Sequence, residues 1–299
     1  MLRKISFAFV AAAVLAVPHL DAQALAVPNT VDISGNWATR THEDQGPRIL
    51  GSELGDYTGL PINAASRQKA SHWDASILSL PEQMAKPHPA QYFMRGPGPN
   101  LRITRVDDPV TQTLIGYTLE GFFGRDDRVI WMDGRPHPSE LAEHTWDGFS
   151  TGEVKGNQLI VTTTHMKYGV IQRNGVAASS DATMSEHFVR HGDILILTSI
   201  LYDPAYLEEP FIRTSQWELS SNITPDNRFL FEVVEEISGH PRDYVPSYPL
   251  GTKQDGYAKH WGLPFEATQG GKETLYPEYE IKLKKMLADM PKSQQETAK

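Results

Sequence analysis

From Leu101 onward the chain is a succession of short apolar or alternating runs separated by turn residues. Leu101–Val106, Leu114–Glu120 and Arg128–Met132 are divided by Asp107-Asp108-Pro109 and Gly124-Arg125-Asp126-Asp127. Gln158–His165 follows Lys155-Gly156-Asn157, and Thr183–Arg190 turns through His191-Gly192-Asp193 into Ile194–Leu201. Phe211–Leu219 and Arg228–Glu235 flank a polar segment that starts at Asn222. Period-two patterning with two- or three-residue turns is the signature of hairpin-connected strands. With an opening strand near Asp32–Trp37, this amounts to about nine or ten strands and no helices between them. The expected fold is all-β, an antiparallel sheet closed into a barrel.

Two stretches break the pattern. Residues 41–100 are irregular, and Pro81, Pro87, Pro89, Pro97 and Pro99 exclude long regular elements near their end. One short helix is expected there, from Asn63 as N-cap to Ala75. A loop this long in a compact domain is usually functional or covers an opening. At the other end, residues 277–290 place Tyr279, Leu283, Met286 and Leu287 on one helical face, which predicts a C-terminal helix docked on the sheet. The last residues, from Lys292, read as frayed.

The N-terminus alters the setting. Met1-Leu2-Arg3-Lys4, an apolar run from Ile5 to Val17 and small residues around Ala22-Gln23-Ala24 form a secretory leader, residues 1–24. The apolar run is shorter than the ~20 residues of a membrane span. Residues 25–299 then form one domain, placed in the periplasm or outside the cell. Loss of Arg3, Lys4 and Asp21 with the leader, two basic residues and one acidic, moves the net charge from −9 to −10. Such a charge argues against nonspecific nucleic-acid binding, which depends on Lys and Arg neutralising phosphates. With no cysteine, an exported chain must be held by its core.

Val129–Gly152 is the densest cluster of reactive side chains, and it lies between strands. Loops on a rigid sheet are where binding and catalytic groups concentrate. His144 and His165 lie at a strand start and a strand end; with Glu186 or Asp133 as orienting carboxylate they could move protons near neutral pH. Strand alternation puts Glu186 with Met184, Phe188 and Arg190, and Arg213 with Phe211 and Trp217, so Glu186 and Arg213 could pair inside a barrel. Arg213 or Arg135 could instead stabilise developing negative charge. Trp146, Tyr168, Phe188 and Tyr202 would supply aromatic walls for a ligand. No H-x-H or H-E-x-x-H spacing supports the alternative, a metal site from two or three His and one carboxylate. Gly148-Phe149-Ser150-Thr151-Gly152 has the G-x-S-x-G spacing, but Ser150 falls within a strand, so a serine nucleophile is not called for, and no organic cofactor is expected.

Two resemblances add to this. Ser34-Gly35-Asn36-Trp37 is similar to the G-x-W opening strand of lipocalins and wider calycins. That likeness implies a barrel whose Trp plugs one end against an Arg of a late strand, a place Arg213 could fill. The run Met132-Asp133-Gly134-Arg135-Pro136-His137-Pro138, His144-Thr145-Trp146, Gly148, Ser150 and Gly152 resembles a group of secreted bacterial proteins of unknown function with lipocalin-like barrels. So do Arg173-Asn174-Gly175, Glu186-His187, Asp203-Pro204, Pro210-Phe211 and Arg213-Thr214 to Trp217. The resemblance implies architecture and no chemistry.

Three functions stay open. The first is a cofactor-independent isomerase, lyase or hydratase acting by acid/base chemistry on a small apolar or aromatic molecule held in the barrel. The second is a non-catalytic carrier of such a molecule, and the third is an envelope-associated interaction protein. Catalysis requires His144, His165 and a carboxylate to converge on a void.

Overall fold

The computed structural model describes residues 31–40, 52–80, 83, 87–93, 100–121, 128–222, 240–241 and 243–291. The leader, the turn 124–127, the expected strand Arg228–Glu235 and the end of the tail fall outside the described residues. Eleven strands run in chain order: β1 (Gly35–Arg40), β2 (Leu101–Asp107), β3 (Leu114–Gly121), β4 (Arg128–Trp131), β5 (Phe149–Lys155) and β6 (Gln158–Thr164). They continue as β7 (Gly169–Val170), β8 (Ala177–Ala178), β9 (Thr183–His191), β10 (Ile194–Tyr202) and β11 (Phe211–Leu219). Nine of them close into a barrel in the order β1-β11-β10-β9-β6-β5-β4-β3-β2, and β7 and β8 pair separately. Closure leaves no edge strand within the barrel.

One pairing departs from the antiparallel expectation. β4 and β5 run parallel, with Ile130 opposite Ser150 and Trp131 opposite Thr151. Parallel neighbours cannot be joined by a hairpin, because the chain must return to the end it started from. Residues 132–148 make that return, so this motif-rich segment is a crossover rather than a hairpin rim. His144–Trp146 do not open a strand either: Thr145 makes only a bridge to Met166, and β5 starts at Phe149.

Alternation fills the barrel from all sides. Leu159 and Val161 of β6, Phe188 of β9, Leu195 and Leu197 of β10 and Trp217 of β11 join Trp37, Tyr117 and Ile130 in one buried cluster. Trp37 closes this end: its Nε1–H donates to Ile33 O at 2.9 Å, and the Arg190 guanidinium lies 5.2 Å from its ring centre. Arg190 also donates to Asp32 O at 2.8 Å. The barrel is therefore calycin-like in its Trp–Arg closure, but the arginine comes from β9 and is not Arg213. Arg213 stacks on Phe211 of its own strand.

Glu186 and Arg213 do not pair. Arg128, the first residue of β4, takes that place, and both it and Glu186 are fully buried. Its Nη1 donates to Glu186 Oε1 at 2.9 Å, and its Nη2 donates to Glu186 Oε2 and to Thr163 Oγ1. Ser150 Oγ also accepts from the guanidinium and lies 2.9 Å from Thr163 Oγ1. The charges are thus matched and surrounded by hydroxyls, the condition under which a buried ion pair is tolerated.

A second buried cluster caps the opposite end, combining Tyr57, Leu60 and Ile62 with Met166, Ile171, Val176, Met184, Leu201 and Phe211. The irregular N-terminal stretch supplies much of it. Its helix α1 (Ala64–Ser71) is shorter than expected, capped by Asn63 Oδ1 accepting from Ser66 N–H at 2.9 Å. A 3₁₀ turn, Ala75–Ser79, and the short α2 (Ala90–Phe93) follow. α3 (Gly256–His260) precedes the C-terminal helix α4 (Tyr279–Ala288), which forms but is not docked. None of its residues is buried and Ile281 is 75% exposed. Tyr279, Leu283 and Met286 of its apolar face are half-buried, and the helix meets the 3₁₀ turn Lys272–Leu275 rather than the sheet. No helix among the described residues is long and apolar enough to cross a membrane.

Candidate functional site

A hydrogen-bonded chain of two histidines joins the crossover to the end of β6. Ser139 O can only accept, so the 2.9 Å contact places a proton on His165 Nε2. In a neutral ring, His165 Nδ1 then accepts from the Thr164 hydroxyl at 2.7 Å. Thr164 Oγ1 in turn accepts from His137 Nδ1–H at 2.7 Å, which leaves His137 Nε2 to accept from the Thr151 hydroxyl at 2.8 Å. Burial, and then the charge of His165, holds His137 below the ordinary histidine range, in keeping with a neutral ring. β6 ends at Thr164, and His165, at φ 57°, leaves the strand's alternation to face the crossover.

His144 lies 5.2 Å from His165, ring centre to ring centre, and its Nδ1–H donates to Met166 O at 3.0 Å. The two histidines singled out in the sequence are thus neighbours, and His137 joins them. No carboxylate joins them among the described residues. Glu186 is bound to Arg128 inside the barrel. Asp133 is held at the surface by Arg135, whose Nε donates to both its oxygens at 2.9 and 3.0 Å. That hydrogen bonding keeps the Asp133 carboxyl below its usual range. Arg135 also stacks on Trp131, 3.5 Å from the ring centre. Asp133 and Arg135 therefore build the turn.

A cavity of about 800 Å³ lies beside this relay, outside the barrel interior. Its walls are aromatic: Trp73, which follows α1, Tyr92 of α2, Trp146 of the crossover and Tyr168, just before β7. Ile77, Leu78, Pro89, Val170 and Val245 add apolar surface, and His72 and His88 add imidazoles. The size falls within the usual range for small-molecule sites, ~300–1,000 Å³. The walls come from distant segments tied by hydrogen bonds to backbone carbonyls. Ala90 N–H donates to Trp146 O at 2.9 Å, Tyr248 N–H to His72 O at 3.0 Å, and Gln254 Nε2 to Trp73 O at 3.0 Å. Two glycines permit the close approach. A Cβ at Gly175, which has φ +91°, would lie 2.3 Å from Trp73 Cβ, and one at Gly169 would lie 2.7 Å from Pro89 Cγ.

The relay supports two of these walls. Thr145 N–H donates to His165 O at 2.9 Å and Lys167 N–H to Thr145 O at 2.8 Å. The strands of chain holding Trp146 and Tyr168 are thereby laced together next to the histidines. Of the residues singled out in the sequence, Trp146 and Tyr168 line the cavity, while His144 and His165 stand behind it. Phe188 is wholly within the barrel core and Tyr202 is 46% exposed at the end of β10. Neither lines this cavity, and neither do Arg135 and Arg213. The convergence of histidines and a carboxylate on a void that catalysis requires is not formed by those residues. Among the described residues, no group of three or more His, Asp or Glu could hold a metal ion.

Lys69, His72, Trp73, Asp74, Tyr92 and Arg173 line the cavity and escaped sequence reasoning. Their signal was present as the long Pro-rich segment read as a cover over an opening. Period-two arguments do not reach side chains on irregular backbone. No protein-family model, no curated protein and no solved structure matches this chain.

Proposed function

We propose that this protein is a non-catalytic binding or carrier protein for a small apolar or aromatic molecule. The observation that carries the reading is the cavity walled by Trp73, Tyr92, Trp146 and Tyr168. Aromatic walls with a few convergent polar groups are the usual composition of such a site. Binding is favoured over acid/base catalysis because the relay histidines lie outside the lining and bond to hydroxyls and carbonyls. The barrel serves as a rigid, filled base, and the loop layer at its capped end makes the pocket. The N-terminal leader supports export, and the Arg128–Trp217 run supports membership of the group of secreted lipocalin-like proteins it resembles.

Isothermal titration of 2-naphthamide, an uncharged flat aromatic, tests the reading. Saturable one-to-one binding is expected, weakened about ten-fold by Trp146→Ala, since an aromatic contact contributes roughly 1 kcal/mol beyond its area. Equal binding by Trp146→Ala and the parent protein would overturn it.

A further inference from the structure

The chain as a whole is acidic, with a net charge of −9, but this cavity is not. Among the described residues, Lys69 and Arg173 both line it, and Asp74 is its one carboxylate. Asp74 is already engaged: its Oδ1 caps the 3₁₀ turn by accepting from Ser76 N–H at 2.9 Å. Arg173 forms no ion pair among the described residues. Lys69 Nζ sits 4.6 Å from the ring centre of Tyr168, a wall of the cavity, and 5.8 Å from that of Tyr206. A third cation, Lys167, has its Nζ 5.4 Å from the centre of the Trp146 ring. Positive charge is therefore laid over two of the aromatic walls, on a surface otherwise biased the other way.

If the cavity is the binding site, as proposed above, we infer that its ligand is an aromatic carboxylic acid bound as the anion. The flat apolar body lies among Trp73, Tyr92, Trp146 and Tyr168, and the carboxylate meets Lys69 and Arg173. Both cations are solvent-exposed, so they act at the cavity's open side and screening by salt reaches them. An aromatic cation is disfavoured by the same charges. A neutral aromatic keeps the stacking and loses only the charge-assisted hydrogen bonds.

The test compares 2-naphthoate, 2-naphthamide and 2-naphthylmethylammonium by isothermal titration on the full chain. The expected order is naphthoate tightest, the amide about ten-fold weaker and the ammonium weakest. Lys69→Gln combined with Arg173→Gln should bring naphthoate down to the amide's affinity and leave the amide unchanged. Raising the ionic strength should weaken naphthoate alone. Equal or tighter binding of the amide or the ammonium overturns the anion assignment while leaving the cavity reading intact. A naphthoate preference that survives the double substitution overturns the assignment to Lys69 and Arg173. Absence of binding by all three overturns both the assignment and the cavity reading.

Discussion

Replacing Glu186 with Gln isolates the charge at the centre of the barrel while preserving shape. Arg128 is 1% exposed and Glu186 0%, so neither can reach water when its partner changes. In the parent protein Glu186 receives both terminal nitrogens of the guanidinium, Thr163 accepts from Nη2 and Ser150 accepts from Nη2 and Nε. Glu186→Gln leaves a buried cation with a neutral acceptor, and its amide N–H₂ faces a group that can only donate. Losing one partner of a buried pair costs about 3–5 kcal/mol. Because Gln keeps one acceptor oxygen, the lower end, about 3 kcal/mol, is the expected loss. Arg128→Met with Glu186→Leu removes both charges, and Ser150 and Thr163 still bond each other at 2.9 Å. That double variant is expected within about 1 kcal/mol of the parent. Urea unfolding at neutral pH, read by tryptophan fluorescence, measures both where the transition is single and its slope unchanged. A Glu186→Gln loss below about 1 kcal/mol, or a double variant less stable than the single one, refutes the reasoning.

Other perturbations test other parts of the account. His137 titrates below the ordinary histidine value of 6.5, so the unfolded chain binds its proton first. Its contribution is fully present above 6.5 and is lost as pH falls through the folded value; His137→Phe should flatten the acid limb of the unfolding midpoint, and an unchanged slope would count against the neutral relay. Arg190→Met removes the bonds to Asp32 O and Gly192 O and the guanidinium over Trp37, and should cost about 1–3 kcal/mol in the same assay. Truncation before Tyr279 removes a helix with no buried residue and should shift stability by less than about 0.5 kcal/mol; a larger loss would mean the helix is docked after all.

The barrel was legible in the sequence because period-two alternation sets which side chains face inward. Leu159, Val161, Phe188, Leu195, Leu197 and Trp217 are all buried on the faces that alternation assigns them. Which charges meet inside was not legible. Arg128 stands at the first position of a short strand, and its pairing with Glu186 depends on strand order around the barrel. The parallel entry of β5 has the same origin: a long connection can return to either end, and the DGRPHP turn gives no direction. At the site, Trp146 and Tyr168 were visible as aromatics near strand ends. Lys69, Trp73 and Arg173 were not, because they lie on α1, its C-terminal side and a tight loop, and meet only through tertiary packing. The docked C-terminal helix was over-read from its apolar face. Such a face shows what could be buried, and the structure leaves Tyr279, Leu283 and Met286 only half-buried.

The most direct test of the central claim is a crystal structure of the full chain grown with 2-naphthoate. The account predicts ligand density stacked between Trp73, Trp146 and Tyr168, with the carboxylate toward Lys69 and Arg173. Density inside the barrel beside Arg128 and Glu186, or at a surface away from these walls, would contradict it.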